Sequence, residues 1–272
     1  MPSLRTCPSL SLPFSPTKQP KNLSPSSFKP YHQSPPSKSR SSIKTSSSST
    51  PHSQGIEHIV LLKVKENTES SKVNAMINEM QSLVTLEQVR HLTLGPILTN
   101  NETISTTIPI SDLRYTHLFH SRYDSEEDLQ TYNDHSKHIN AVRGFIFPIC
   151  DDLLVVDWIA GEVALPPHPS PGTAFRVSFL KLKEEKENDG EVKDEVFRAI
   201  RGIKESVGLG GVSYVSYGEN ISPARAKGFS IASLVVFPGR EELDSVDAGE
   251  GLVKVKEHLE SVVVVDYVVP LK

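Results

Sequence analysis

The chain has 272 residues, a formal net charge of −4 and two cysteines. Its length allows one large domain or two small ones, and two cysteines, one of them at position 7, exclude a disulfide framework. No run of 18 apolar residues occurs, which excludes a helix that spans a membrane.

Residues 1–54 contain no Asp or Glu, seven Lys or Arg and 17 Ser. Such a segment cannot bury a core and is predicted to be disordered. An acid-free, basic, Ser-rich start is the composition of an organelle transit peptide, with the chloroplast the expected destination; an ordinary disordered tail shares that composition. Without those seven positive charges, residues 55–272 carry −11. An acidic body argues against a nucleic-acid partner, which needs a basic footprint.

Ile56 to Lys65 alternates as a strand, with His58, Val60, Leu62 and Val64 on one side. Val73, Met76, Ile77, Met80, Leu83 and Val84 then recur at helical spacing behind Ser70 or Ser71, a helix expected to fade near Thr85. Val89 to Leu94 reads as a strand ended by Gly95-Pro96, and residues 99–112 as a polar loop. A third strand spans Tyr115 to Tyr123. Ser125 opens a helix whose first turn carries Glu126, Glu127 and Asp128, and Leu153 to Trp158 closes the unit. The order β-α-β-β-α-β predicts an α+β, ferredoxin-like unit: one antiparallel sheet with helices on one face.

Residues 161–173 are rich in proline and read as a linker. Beyond it the pattern repeats. Phe175 to Lys183 echoes His58 to Lys65; Val192, Val196, Ile200, Ile203 and Val207 form a helical stripe; Val262 to Tyr267 echoes Leu153 to Trp158. The division is therefore 1–54 targeting segment, 55–160 first domain, 161–173 linker and 174–272 second, degenerate domain. Aligning the copies puts His58 over Phe175, His117 over Ser230, Tyr132 over Val246, His135 over Gly249 and His138 over Leu252. The candidate polar groups thus belong to the first copy.

Those groups cluster on its second helix and strand ends. Tyr132, His135 and His138 are spaced i, i+3, i+6 and should lie roughly along one face. Tyr132 and His138 would stand about 9 Å apart along the axis, gripping opposite ends of a small substrate. Histidine suits proton transfer near neutral pH, and a tyrosine hydroxyl can polarise a carbonyl. Alternatively these groups satisfy one another in a partly buried network. His120 is expected on the opposite face from His117, and His91 and His258 carry no assigned role. No Cys or carboxylate completes a zinc site with His135 and His138.

These residues make the first copy similar to the stress-responsive A/B barrel (dimeric α/β-barrel) family. The features are His58 opening the first strand, Tyr115-Thr116-His117 opening the third, Tyr132-x-x-His135-x-x-His138, and the closing Leu-Val-Val-Asp-Trp. The resemblance implies two ferredoxin-like sheets packed face to face, here by pairing within the chain or by self-association. It also implies a cavity between sheet and helices for a small apolar ligand. In one plant member, olivetolic acid cyclase, that cavity performs an intramolecular aldol condensation without a cofactor. Carried over, His138 would be the base and Tyr132 the acid or orienting group, with His58, His117, His135 and Tyr115 lining the cavity. Other members have no established reaction and are known as heat-stable, stress-induced or defence-related proteins, some of them peroxisomal. Some hold a structural Mg²⁺ through backbone carbonyls, which here would be those of Val84, Leu86 and Val89. Ser136 follows His135 where the family commonly has proline.

Overall fold

A computed structural model describes residues 55–98, 103–105, 113–160, 169–206, 211–247 and 251–271. The N-terminal segment read as a transit peptide and most of the proline-rich linker lie outside them.

The strands of the first half are β1 (Ile56–Val64), β2 (His91–Pro96), β3 (Thr103–Ser105), β4 (His117–Tyr123) and β5 (Cys150–Ile159). Four of them form an antiparallel sheet in the order β2-β4-β1-β5. The second half supplies β6 (Ala174–Leu182), β7 (Tyr214–Glu219), β8 (Ile231–Phe237) and β9 (Leu259–Val268), which build a five-stranded sheet in the order β3-β9-β6-β8-β7. Its fifth strand is lent by the first half: β3 pairs with Ser261–Val263 of β9. Part of the region read as a loop is thus a strand, since the exposed edge of β9 offers it ladder partners.

Each sheet carries helices on its outer face. In α1 (Ser70–Ser82), Met76 and Met80 are buried, and Leu83 follows in a 3₁₀ turn that ends at Thr85. α2 (Glu126–Asp134) starts at Ser125, whose hydroxyl accepts from the Asp128 N–H at 3.1 Å, and α3 (Ser136–Ala141) follows it. α4 (Gly190–Ser206) buries Val192, Val196, Ile200 and Ile203, and Asp189 caps it by accepting from the Glu191 and Val192 N–H groups. Where the first half has α2 and α3, the described residues of the second form α5 (Arg240–Asp244) and a 3₁₀ stretch, Leu252–His258.

The inner faces of the two sheets bury one core that includes Ile59, Leu61, Leu118, Trp158, Phe175, Phe179, Leu234 and Tyr267. The seams between the sheets are equivalent. The Leu98 N–H donates to the Asp266 carbonyl at 2.8 Å, and the Ile221 N–H donates to the Asp157 carbonyl at 2.8 Å. Trp158 Nε1–H donates to Ser216 Oγ at 2.9 Å, while the Tyr267 and Thr93 hydroxyls meet at 2.5 Å. Gly218 and Gly95 allow these approaches. A Cβ at Gly218 would lie 3.1 Å from Trp158 Cβ, and one at Gly95 would lie 3.2 Å from the Tyr267 ring.

The registers correct the alignment of the two copies by one residue. Ile56 pairs with Tyr123 and Ile159 as Ala174 pairs with Phe237 and Val268. His58 therefore corresponds to Arg176, Glu57 to Phe175 and His117 to Ile231. A slip of one residue exchanges the two faces of a strand. Both faces of β6 are buried, so alternation alone left the register open; the Lys63-x-Lys65 and Lys181-x-Lys183 pairs carry it.

Candidate functional site

β1 presents His58 to the helical side, opposite Ser121 on β4 and Asp157 on β5. Asp157 Oδ1 accepts from His58 Nδ1–H at 2.5 Å, and both side chains are almost wholly buried. A carboxylate in that position orients the ring and makes Nδ1 its donor. The other carboxylate oxygen accepts from the Ser222 hydroxyl. Ser222 belongs to the loop after β7, so the second half helps to build the first half's site.

The helix carrying Tyr132, His135 and His138 is not continuous. It breaks at His135, which is extended (φ −67°, ψ 130°) and ends α2 while capping α3. Its Nδ1 accepts from the Lys137 N–H at 3.1 Å, so the ring is spent on the cap rather than turned toward the other two. Ser136 is the first residue of α3, the position where proline fits a helix without loss. The break lets the chain fold back. Tyr132 and His138 meet with ring centroids 4.4 Å apart instead of standing about 9 Å apart along one axis.

Around this pair lie His58, 6.4 Å from the Tyr132 ring, and Tyr123, 5.2 Å from it. Tyr132 is fully buried, yet its hydroxyl makes no hydrogen bond of normal geometry. Burial raises its pKa and that of Tyr123, so both stay protonated donors. Burial pushes the His138 imidazole down to about 4, and its Nδ1–H bond to the Asn133 carbonyl at 3.1 Å only partly opposes this. At neutral pH His138 is uncharged, with Nε2 as an acceptor.

His117 and Tyr115 lie elsewhere. His117 pairs with Leu62, four residues along β4 from the position opposite His58, or about 13 Å. It is half-buried, burial lowers its pKa, and its Nδ1 meets the Thr116 hydroxyl at 2.9 Å. Tyr115 precedes β4 and packs in the core between the sheets. Of six residues expected around one cavity, the structure brings together His58, Tyr132 and His138. Sequence reasoning missed Asp157, Ser121 and Tyr123, although Asp157 was visible inside the closing Val-Val-Asp-Trp, where an acid in an apolar strand needs a partner.

In the second half Arg176 projects into the equivalent space and narrows it to a small cleft, lined also by Ser178, Ile203, Val235 and Phe237. Arg176 replaces His58 and forms a two-pronged pair with Asp266, at 2.8 and 2.9 Å. Its Nη1 also donates to the carbonyl of Val246, the counterpart of Tyr132, at 2.6 Å.

The carbonyls of Val84, Leu86 and Val89 fit a divalent ion poorly. Leu86 O already accepts from the Val89 N–H at 3.0 Å. Lys137 brings its ammonium to the same helix end, donating to Ser82 O at 3.1 Å and Thr85 Oγ1 at 3.2 Å. A second cation beside it would be repelled. Among the described residues, no three His, Cys, Asp or Glu side chains are grouped as a metal site, and no helix is long and apolar enough to cross a membrane.

A missed cluster lies on the reverse face of the same strands. Glu57, the neighbour of His58, points between the sheets. Its Oε2 accepts from His120 Nε2–H at 2.6 Å and Arg122 Nε–H at 2.9 Å, all three being 0–2 % exposed. Burial acts to raise the Glu57 pKa, but the Arg122 charge and the His120 hydrogen bond prevail and lower it. Burial lowers that of His120. His91 is also buried, 5.2 Å from the His120 ring.

Two curated Arabidopsis thaliana proteins, both described as stress-response A/B barrel domain-containing proteins, are similar to this chain. One is 42 % identical over 236 residues, covering 85 % of each chain. The other is 36 % identical over 218 residues, covering 79 % of this chain and 97 % of its own. Among solved structures, a candidate monooxygenase of Fusobacterium nucleatum superposes with a TM-score of 0.51 at 12 % identity, over 80 % of this chain and 94 % of its own, a likeness of fold alone. The stress responsive A/B barrel domain matches at residues 56–160 and again at 174–269, so the chain belongs to that family and carries its domain twice.

Proposed function

We propose that the first half binds a small, largely apolar molecule carrying one carbonyl or hydroxyl oxygen, between its sheet and α2–α3. The observation that carries this is the Tyr132 hydroxyl, wholly buried beside an uncharged His138, with the Tyr123 hydroxyl near it but no hydrogen bond of normal geometry. A buried donor left unmade costs about 1–3 kcal/mol, which a ligand oxygen would recover. His58, Tyr123 and the apolar residues Phe119 and Leu129 supply the remaining wall. The test is a thermal-shift and calorimetry screen of aromatic and alicyclic ketones and phenols, together with native mass spectrometry of protein isolated from its natural tissue. Binding at least tenfold weaker in Tyr132→Phe supports the reading. No bound mass, and no stabilisation by any compound at millimolar concentration, rejects it.

A second reading, aldol-type proton transfer on a linear polyketide, is favoured by the His58–Asp157 pair. There an imidazole held by a carboxylate removes a proton next to a carbonyl that Tyr132 polarises. His138 then accepts a hydrogen bond and orients the substrate, because burial makes it a weak base. His58→Gln should abolish turnover of a poly-β-ketone while His138→Gln only reduces it. Equal loss in both would reject this division of roles.

A further inference from the structure

The two inner faces are built on the same frame but differ in chemistry. Their seam positions match: Trp158 with Tyr267, Thr93 with Ser216, Gly95 with Gly218. Their centres do not. Glu57, His120, Arg122 and His91 of the first half stand where the second has Phe175, Leu234, Val236 and Tyr214. One face thus carries a buried acid, a guanidinium and two imidazoles; its partner offers apolar side chains and a tyrosine.

Contacts across the interface follow that difference. The Arg122 guanidinium lies over the Tyr214 ring, 5.0 Å from its centroid, and the His120 ring meets Phe175 edge-on at 5.4 Å. An aromatic face accepts a cation without adding a charge of its own. Even so, Glu57 Oε1, His120 Nδ1 and Arg122 Nη2 are buried without a hydrogen bond of normal geometry, although the Tyr214 hydroxyl bears on the Glu57 carboxylate. One such cluster already strains what the interior can satisfy.

We propose that the Glu57–His120–Arg122 cluster is a pairing key: it restricts the first half's inner face to an uncharged, aromatic partner face, the one its own second half presents. The pseudo-symmetry shows what other pairings would do. Two first halves would exchange Tyr214 for a second His91 over Arg122, and Phe175 for a second Glu57 beside His120. The barrel would then bury two ionic clusters in place of one, with no phenyl or phenol ring against them, and charges taken from water are costly unless fully paired. Two second halves would meet no such obstacle. The key therefore blocks a dimer made of one first–first and one second–second barrel, and leaves pairing of a first half with a second half.

The test uses the full chain, with the second half's own residues set into the first: E57F/H120L/R122V. The variant is expected to fold with a urea midpoint no lower than that of the parent. Refolded over a concentration series, it should show by native mass spectrometry a dimer fraction at least several-fold above the parent's. Exchange of whole halves between chains is equally open to both proteins, so the excess in the variant is the signal. Should the triple variant not refold, E57Q/R122M removes both charges at similar volume and carries the same expectation. A folded variant whose dimer fraction equals the parent's at every concentration would overturn the proposal.

Discussion

Acidification probes the first half's site through one side chain. Burial holds His138 at about 4, against an ordinary imidazole value of 6.5. The folded-state pKa is depressed, so between these values the unfolded chain binds the extra proton. Stability present above about pH 6.5 is lost as pH falls toward about 4, where the folded state also protonates. At about 1.36 kcal/mol per pH unit, that gap amounts to about 3 kcal/mol. His120, lowered by burial, acts in the same direction, and Glu57 adds its own loss at lower pH, so total acid sensitivity does not isolate His138. The comparison that does is the parent against His138→Met, a residue of similar bulk that does not titrate. Urea unfolding can be followed by fluorescence of Trp158, the sole tryptophan, at several pH values from about 7 to about 4. The parent should lose about 3 kcal/mol more than the variant over that range. Parallel curves would mean that His138 is solvated or partnered by charge in the folded protein, and the geometry argued for the site would fall with it.

Other expectations are independent of that one. Glu57→Gln leaves the Arg122 guanidinium buried without its counter-charge and should cost about 3–5 kcal/mol in urea unfolding. A crystal structure at high resolution should show water bridging Glu57 Oε1, Arg122 Nη2 and the Tyr214 hydroxyl, since buried polar atoms are rarely left unmet. Gly218→Ala drives a methyl against Trp158 and the Ile159 carbonyl; it should cost about 1–3 kcal/mol and shift the Trp158 emission. Residues 1–54 fused to a fluorescent protein are expected to reach the chloroplast, and a cytosolic signal would refute the transit reading.

The repeat and the α+β class were legible because both rest on periodicity, and each strand of the first half keeps an apolar side. What was not legible depended on a single residue of register or on the far end of the chain. His120 and Glu57 read as unremarkable because alternation says which face a residue takes, not what will cover it. The cover is Phe175 and Tyr214, more than fifty residues away in sequence. The break at His135 was hidden for a different reason. Tyr132, His135 and His138 satisfy helical spacing whether or not the helix continues, and the extended backbone at His135 is set by a side chain capping the next turn. Sequence therefore named Tyr132 and His138 but separated them, where the structure puts their rings in contact.

Carrying both halves in one chain is what allows them to diverge. In a symmetric dimer a substitution falls on both sites at once, so neither pocket can be filled without losing the other. Here Arg176 occupies and narrows the second half's equivalent space, and the loop after β7 still serves the first: Asn220 Oδ1 accepts from the Asp157 N–H at 3.2 Å and Ser222 donates to the Asp157 carboxylate. The second half is then a working part of the first half's site, which gives a prediction that a purely packing role does not. Ser222→Ala removes one charge-assisted hydrogen bond, typically about 1.5–3 kcal/mol, from a carboxylate that holds His58. It should move the His58 ring resonances in NMR spectra and weaken binding of any ligand found for the first half by about tenfold. A control on the opposite seam, Thr93→Val, should leave both untouched while costing stability through Tyr267. If the two substitutions behave alike, the loop only seals the barrel, and the second half is scaffold.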